Sequence, residues 1–317
     1  MSSWNSDMKE IGGYFGLEDL PSHEYHKQAV AVNSGRNALA YLIRARKIRK
    51  LYIPYYLCDS VACVCKRECC TYEQYHISDD FQPLFEKALA EDEWLYIVNY
   101  FGQLENEEDL KRRYGNIIID NVQAFFRKPS SHIDTIYSCR KFFGVPDGGY
   151  VYSDVCLDGL VTDVSKGRMT HVLGRYEGMA SDYYQLFVHN DGSFYNMELK
   201  LMSRLTHNIL GAVDYGKVKE QRENNFRYLH QILAEYNKLD IQCPEGPYAY
   251  PFYCVNGMAL KRKLASEKIY VPTLWPDAVQ YGGLESDYAE NILPLPCDQR
   301  YDINDMRFIV KEILKDL

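Results

Sequence analysis

The sequence predicts an α/β protein in which a mostly parallel central sheet carries helices on both faces and a smaller α/β domain follows toward the C-terminus. Two observations lead there. From about residue 30 to 155, short apolar runs alternate with stretches of helical spacing, and strands joined by helical crossovers of that length must pair mostly in parallel. The second is Ile117-Ile118-Ile119-Asp120, an apolar run that ends in an acid. A parallel strand is buried on both faces, and its C-terminal edge is where open α/β sheets receive ligands.

In chain order, the spacing predicts a helix over 36–47, a strand at 51–53 and a helix after Pro54 through 66. A strand at 71–75, a helix near 81–90, a strand at 94–98, a helix near 105–114 and the strand 116–119 follow, then shorter strands at 135–138 and 150–152. Residues 156–212 are less regular, with a helix expected over 194–210. A long helix from 217 to 239 carries apolar residues at 218, 226, 229 and 233, the period of a buried helix face. Pro244, Gly246 and Pro247 then interrupt the chain. A strand at 251–255 and helices at 257–266 and 303–317 complete the reading. These elements divide the chain into a large domain, 1–215, and a linking helix with a small domain, 216–317. Gly12-Gly13-Tyr14-Phe15 is expected to be an N-terminal strand, either at the mouth of the binding site or at a sheet edge.

With 317 residues, 46% apolar, the chain is long enough for a substantial core, and its formal charge of −8 argues against nucleic acid or an anionic membrane as partner. The cations between Arg44 and Lys50 read as the solvated end of a helix. No apolar run approaches the ~18 residues that span a bilayer, and the start lacks the basic and apolar regions of a leader; a cytoplasmic protein is expected. Five of the ten cysteines fall between Cys58 and Cys70. Their spacing is not that of a zinc site, because a helix followed by a strand points the thiols in different directions, so reduced core residues and no metal are expected. Neither G-x-G-x-x-G after a strand, nor a P-loop, nor H-E-x-x-H is present, so neither a dinucleotide fold nor a P-loop is supported.

Three groups of residues carry chemistry. Ser34-Gly35 opens a helix, offering free backbone N–H groups and the positive end of the dipole to an anion. Arg36 in that first turn opposes the dipole unless an anion sits nearby. Lys141 follows the strand ending at Ser138 and precedes Pro146-Asp147-Gly148-Gly149, whose glycines let another backbone or a ligand approach. A lysine in such a partly desolvated setting loses proton affinity and can join an aldehyde as a Schiff base. Asp120 supplies the complement, a carboxylate that would keep a pyridine nitrogen protonated and make the ring an electron sink.

The segments "NSGRNAL", "YIPYYLCDSV", "YIVNYFGQ", "IIIDNVQAFF", "YSCRKFFGVPDGGYVYSD" and "ILPLPCDQRYDINDMRFIVKEI" resemble the DegT/DnrJ/StrS family of sugar aminotransferases, which have the aspartate-aminotransferase fold, fold type I of the pyridoxal-phosphate (PLP)-dependent transferases. The resemblance runs in order from about Gly12 to the C-terminus. It implies PLP as cofactor, with Lys141 as the Schiff-base lysine, Asp120 at the pyridine nitrogen, Gln123 at the ring hydroxyl, and Ser34, Gly35, Arg36 and Ser138 around the phosphate. Cys58 aligns where relatives often stack an aromatic on the ring, a role that Tyr55 or Tyr56 could take instead. Small-molecule substrates are implied, an amino donor such as glutamate and a keto sugar carried on a nucleotide, in polysaccharide or amino-sugar biosynthesis; so is a homodimer. The presence of Lys141 disfavours the family's dehydratase branch.

Three departures stand out. Relatives usually have Thr or Ser at Arg36. Ser138 and Lys141 lie three positions apart where five is usual. Gly178-Met-Ala-Ser-Asp-Tyr-Tyr-Gln185 lacks the Asn and Arg that relatives present to a neighbouring subunit. Two rival readings are therefore carried: elimination or desulfuration on an amino acid with Cys58 as nucleophile, and a non-catalytic subunit or sensor that binds PLP or a nucleotide sugar. Tyr183, Tyr184, His171, Arg175 and Glu177 are further candidates for contact with substrate.

Overall fold

The computed structural model describes residues 11–315. In chain order the elements are β1 (Val30–Val32), α1 (Gly35–Arg46), β2 (Lys50–Pro54), α2 (Asp59–Arg67), β3 (Thr71–Ile77), β4 (Pro83–Leu84), β5 (Glu93–Val98), α3 (Glu107–Tyr114), β6 (Ile117–Asp120), β7 (Asp134–Ser138) and β8 (Gly149–Tyr152), followed by α4 (Thr170–Glu177), α5 (Ala180–Ser193), α6 (Arg204–Gly211), α7 (Tyr215–Leu233), β9 (Tyr250–Tyr253), α8 (Gly257–Ser266), α9 (Gly283–Asn291), β10 (Ile292–Leu295) and α10 (Ile303–Leu314).

The central sheet has eight strands in the order β1-β8-β7-β6-β5-β2-β3-β4. Strands β7, β6, β5, β2 and β3 run parallel, whereas β8 is antiparallel to both of its neighbours and β4 is antiparallel to β3. The chain moves outward from β2 to β3, then returns across β2 to build β5, β6 and β7. That reversal opens a crevice at the C-terminal ends of these strands, the usual ligand position in such sheets. All four residues of β6 are buried, as a strand covered on both faces requires. At the C-terminal end β9 and β10 form a two-stranded antiparallel sheet, beside α8 and the packed pair α7 and α10.

Most of the alternation read from the sequence is present, and the exceptions have physical causes. No helix forms near 81–90. Phe81 and Phe85 are buried there as the helical spacing suggests, but Phe81 takes the left-handed conformation at φ 62°, and Pro83, without an N–H, pairs with Ile77 across the β3–β4 turn. The helix expected over 194–210 is broken: α5 ends at Ser193 and α6 begins only after Ser203, whose hydroxyl caps it by accepting from Thr206 N. Between them the chain is drawn along the edge strand β1, with Asn33 N donating to Lys200 O at 3.0 Å and Met202 N to Ala31 O at 3.1 Å, and a bridge joining Val32 to Leu201. Gly12-Gly13-Tyr14-Phe15 forms no strand; Tyr14 and Phe15 are exposed, and both placements expected for this segment are withdrawn.

Candidate active site

The crevice holds an open cavity of ≈ 420 Å³ lined by Ser34, Gly35, Arg36, Cys58, Asp120, Ser138 and Lys141, together with residues that the sequence reading did not single out. Seven of the eight candidate residues thus converge. Gln123 does not line the cavity: its Oε1 accepts from Phe101 N at 2.9 Å, and its buried Nε2 has no partner. The phenolic rings offered as alternatives to Cys58 are also elsewhere. Tyr56 is enclosed by Tyr100, Trp275 and Tyr288, and Tyr55 packs on His76 and Tyr281. Among the ring-bearing side chains, Tyr96, Tyr248 and Trp275 reach the cavity instead.

The anion-binding corner is built by α1. Ser34 is its N-cap, with an extended backbone and Oγ accepting from Asn37 N at 3.1 Å, so the free amides of the first turn point into the cavity end. Gly35 lies so close to Ser138 that an added Cβ would meet the Ser138 Cβ at 3.2 Å. Ser138 is the last residue of β7, and its hydroxyl has no hydrogen bond to any described residue. The glycine pair after Lys141 serves this corner too. A Cβ on Gly149 would stand 2.6 Å from the carbonyl carbon of Ser34 and 2.8 Å from Gly35 N, because β8 pairs β1 up to Val32 and the chain turns directly into α1. Gly149→Ala is expected to destabilise the protein by about 1–3 kcal/mol and to weaken PLP binding, measured by chemical denaturation and by titration with the cofactor; unchanged stability would mean that the two backbones part without cost.

Asp120 ends β6, 3% exposed. Its Oδ2 accepts from Tyr96 Oη at 2.6 Å and its Oδ1 from Val122 N at 2.9 Å. Burial raises its pKa; the nearby Lys141 ammonium and these two hydrogen bonds oppose the rise without cancelling it. Lys141 lies in the turn after β7, with no hydrogen bond or ion pair to any described residue and the Tyr248 ring 5.8 Å from its Nζ. Its side chain keeps exposed surface and lines the open cavity, whose walls partly enclose the amine. That enclosure pushes its pKa down; Asp120, Cys58 and Asp191 pull it up and Arg36 pushes it further down, with a net lowering. A lysine so placed keeps more neutral amine at physiological pH than a solvated one.

Cys58 caps α2 without using its thiol on the backbone; Sγ lies 3.3 Å from Asp59 Oδ1. His171, Arg175, Glu177, Tyr183 and Tyr184 do not line the cavity. The Tyr183 ring instead fills the space over Gly174 between α4 and α5. All ten cysteines are free thiols, and among the described residues no group of three or more His, Cys, Asp or Glu comes together as a metal site would require.

The sequence reading missed Tyr96, Arg140, Asp191, Tyr248, Trp275 and Asp277 on the cavity wall. Tyr96 follows from strand register: Val98 pairs Asp120, and Tyr96 two residues earlier is its diagonal neighbour on the same face. Arg140 adjoins Lys141 and was visible only as a neighbour. The others come from segments 50 or more residues away along the chain, and no local pattern marks them.

No family model matches the sequence, and no curated protein is similar to it. Solved structures are. A DegT DnrJ EryC1 StrS aminotransferase from Brucella abortus superposes with TM-score 0.61 at 16% identity, over 90% of this chain and 85% of that one. A Streptococcus pneumoniae protein described as a sugar aminotransferase, in its PLP form, gives TM-score 0.64 at 15% identity over 90% and 86%. Helicobacter pylori PseC, an aminotransferase involved in the biosynthesis of pseudoaminic acid, gives 0.60 at 16% identity over 91% and 86%. This chain has their fold. The expected fold type I architecture is therefore established by these superpositions, and the cavity described above sits at the strand ends of that aminotransferase fold.

Proposed function

We propose that the protein is a PLP-dependent aminotransferase that moves an amino group from an amino acid, glutamate in the first instance, to a keto sugar carried on a nucleotide, in polysaccharide or amino-sugar biosynthesis. The observation that carries this reading is the convergence of Lys141, Asp120 and the N-terminus of α1 on one cavity. The fit of the residues to a phosphorylated pyridoxal is independent of the likeness. Arg36 Nε is buried without a partner, the Ser138 hydroxyl is unpaired, and Gly35 leaves open a space that a Cβ would close.

When bound, the cofactor supplies an electron sink that stabilises negative charge at the donor's α-carbon. The chain's own residues do the rest. Lys141, its proton affinity reduced by the protein around it, would hold the cofactor through its amine and, in its neutral form, would move a proton to and from the donor's α-carbon. Asp120 presents a carboxylate held by Tyr96 and Val122, a fixed negative partner for a protonated ring nitrogen. The α1 N-terminus, Ser34 and Ser138 hold the phosphate end. Cys58, Tyr248 and Trp275 wall the cavity.

A homodimer is part of the proposal. The α4–α5 hairpin leaves Leu173, Tyr176, Met179, Leu186, Phe187 and Val188 exposed, apolar surface available to a second copy. A cytoplasmic location is supported by the ten free thiols, and no helix among the described residues is long and apolar enough to cross a membrane. The test is the near-visible absorbance of the purified protein with added PLP, before and after glutamate and then a nucleotide-linked keto sugar. Glutamate should convert the spectrum to that of the aminated cofactor and the keto sugar should restore it; a spectrum that glutamate and other amino donors leave unchanged would overturn the transfer reading.

A further inference from the structure

We propose that Arg140 and Arg36, held side by side by Asp191, form a two-arginine clamp that binds the cofactor phosphate as a dianion. This makes Arg140 a cofactor-contacting residue, and it rests on the reading of the cavity as a pyridoxal-phosphate site. The two guanidinium groups come from different elements, Arg36 from the first turn of α1 and Arg140 from the turn after β7. Both line the cavity beside Ser34, Gly35 and Ser138. Asp191, near the end of α5, joins them: Oδ2 accepts from Arg36 Nη2 at 3.2 Å and Oδ1 from Arg140 Nη1 at 3.1 Å.

Two guanidinium groups beside the positive end of a helix repel one another and the dipole. One carboxylate offsets one of the two charges, so the corner retains an excess of positive charge in the absence of ligand. Burial and the neighbouring cations Arg36 and Arg168 weaken proton binding at Arg140, and Asp191 partly restores it. The Tyr195 ring lies 4.8 Å from Arg36 and the Phe194 ring 4.4 Å from Arg140, so each guanidinium also rests against an aromatic ring. Each arginine spends one N–H group on Asp191 and keeps others; Arg36 Nε is buried with no acceptor at all. Arginine matches phosphate oxygens with paired N–H donors and stays charged when buried, so a phosphate dianion completes what Asp191 only half neutralises. Arg36, Arg140 and Asp191 belong to one chain, and the charge that this phosphate needs is assembled without a second subunit.

The test compares binding of PLP and of pyridoxal, its unphosphorylated counterpart, to the wild-type protein and to R140Q and R36Q, with ³¹P resonance of bound PLP recorded from pH 6 to 9. R140Q should weaken PLP binding at least about tenfold and leave pyridoxal binding within about twofold. The ³¹P resonance should stay at the dianion position in the wild type and titrate in R140Q, toward the second ionisation of a free phosphate ester near ~6. R140K, which keeps the charge but not the paired donors, should fall between; it also serves if R140Q does not fold. PLP and pyridoxal weakened alike, or PLP unaffected, would overturn the clamp. So would a rise confined to the KM for glutamate, which would place Arg140 on the donor's carboxylate. If no Lys141-dependent band forms with either aldehyde, the transferase reading fails, while the ³¹P signal still reports on the clamp.

Discussion

Lys141→Ala is expected to abolish the near-visible band that PLP produces with the wild-type protein and to reduce amino transfer by about 10⁴-fold, the upper end of what one acid–base group contributes, since the same side chain also anchors the cofactor. The effect is specific because Lys141 has no structural partner to lose: no described residue forms a hydrogen bond or ion pair with it, and the Tyr248 ring lies 5.8 Å from its amine. Its stability effect runs in the opposite direction. The folded pKa is lowered by enclosure, so between that pKa and the ordinary lysine value the unfolded chain binds more protons than the folded one. Stability of the apoprotein therefore rises with pH across that window, and is reduced below it by the cost of charging an enclosed amine. Lys141→Ala should remove that penalty and raise the apoprotein's Tm at neutral pH. The same sign governs capture of the cofactor, which needs the neutral amine and should accelerate with pH through a midpoint below the usual lysine range. An active Lys141→Ala protein, or one less stable than wild type at neutral pH, would show that the lysine is not held ready for an aldehyde.

Asp120→Asn should lower turnover by about 10²–10³-fold, the scale of losing one preorganised electrostatic partner, while leaving PLP bound. The substitution is nearly isosteric. An Asn oxygen can still accept from Tyr96 or Val122, so the fold should survive, but its amide cannot hold a proton on a ring nitrogen by charge. Removing the carboxylate also removes its attraction for the Lys141 ammonium, which is one of the groups now raising the lysine pKa. Cofactor capture should consequently reach its full rate at lower pH than in the wild type, even as catalysis falls. Stopped-flow capture rates set against steady-state turnover separate the two effects; if both fall together with loss of bound PLP, Asp120 is a structural residue of β6 and nothing more.

Chemistry in one stretch of chain was readable because it is encoded in periods and single positions. A buried parallel strand has a composition of its own, so Ile117–Ile119 announced β6 and Asp120 its edge. The Ser34 cap, the glycines at 148 and 149 and the lysine before them are local devices, and local devices leave local signatures. The helix 257–266 was read with its observed limits for the same reason. Where tertiary pairing competes with propensity, the sequence misleads: 194–203 has helical spacing, yet after a turn at 194–196 the bonds of residues 200–202 to the β1 segment hold the chain out of a helix, and 81–90 buries the expected rings from an irregular chain pinned by Pro83.

The wall of the cavity belongs to the tertiary structure alone. Gln123 occupies the expected sequence position, but the backbone N–H of Phe101 claims its oxygen and turns it from the cavity. Trp275 reaches the cavity from the far side of the chain, in a left-handed conformation at φ 52°, and Tyr56, the nearer aromatic, is consumed by packing against it. Asp191 meets Arg36 and Arg140 only because α5 folds back over the end of α1, a contact across 155 residues in one direction and 51 in the other. The sequence by itself determined the sheet, its carboxylate and its lysine, because strand burial, helix capping and glycine turns act between residues close in the chain. Which side chains face those two groups, and with what charge, was decided by packing between elements far apart, where register and approach distance exist only once the chain has folded.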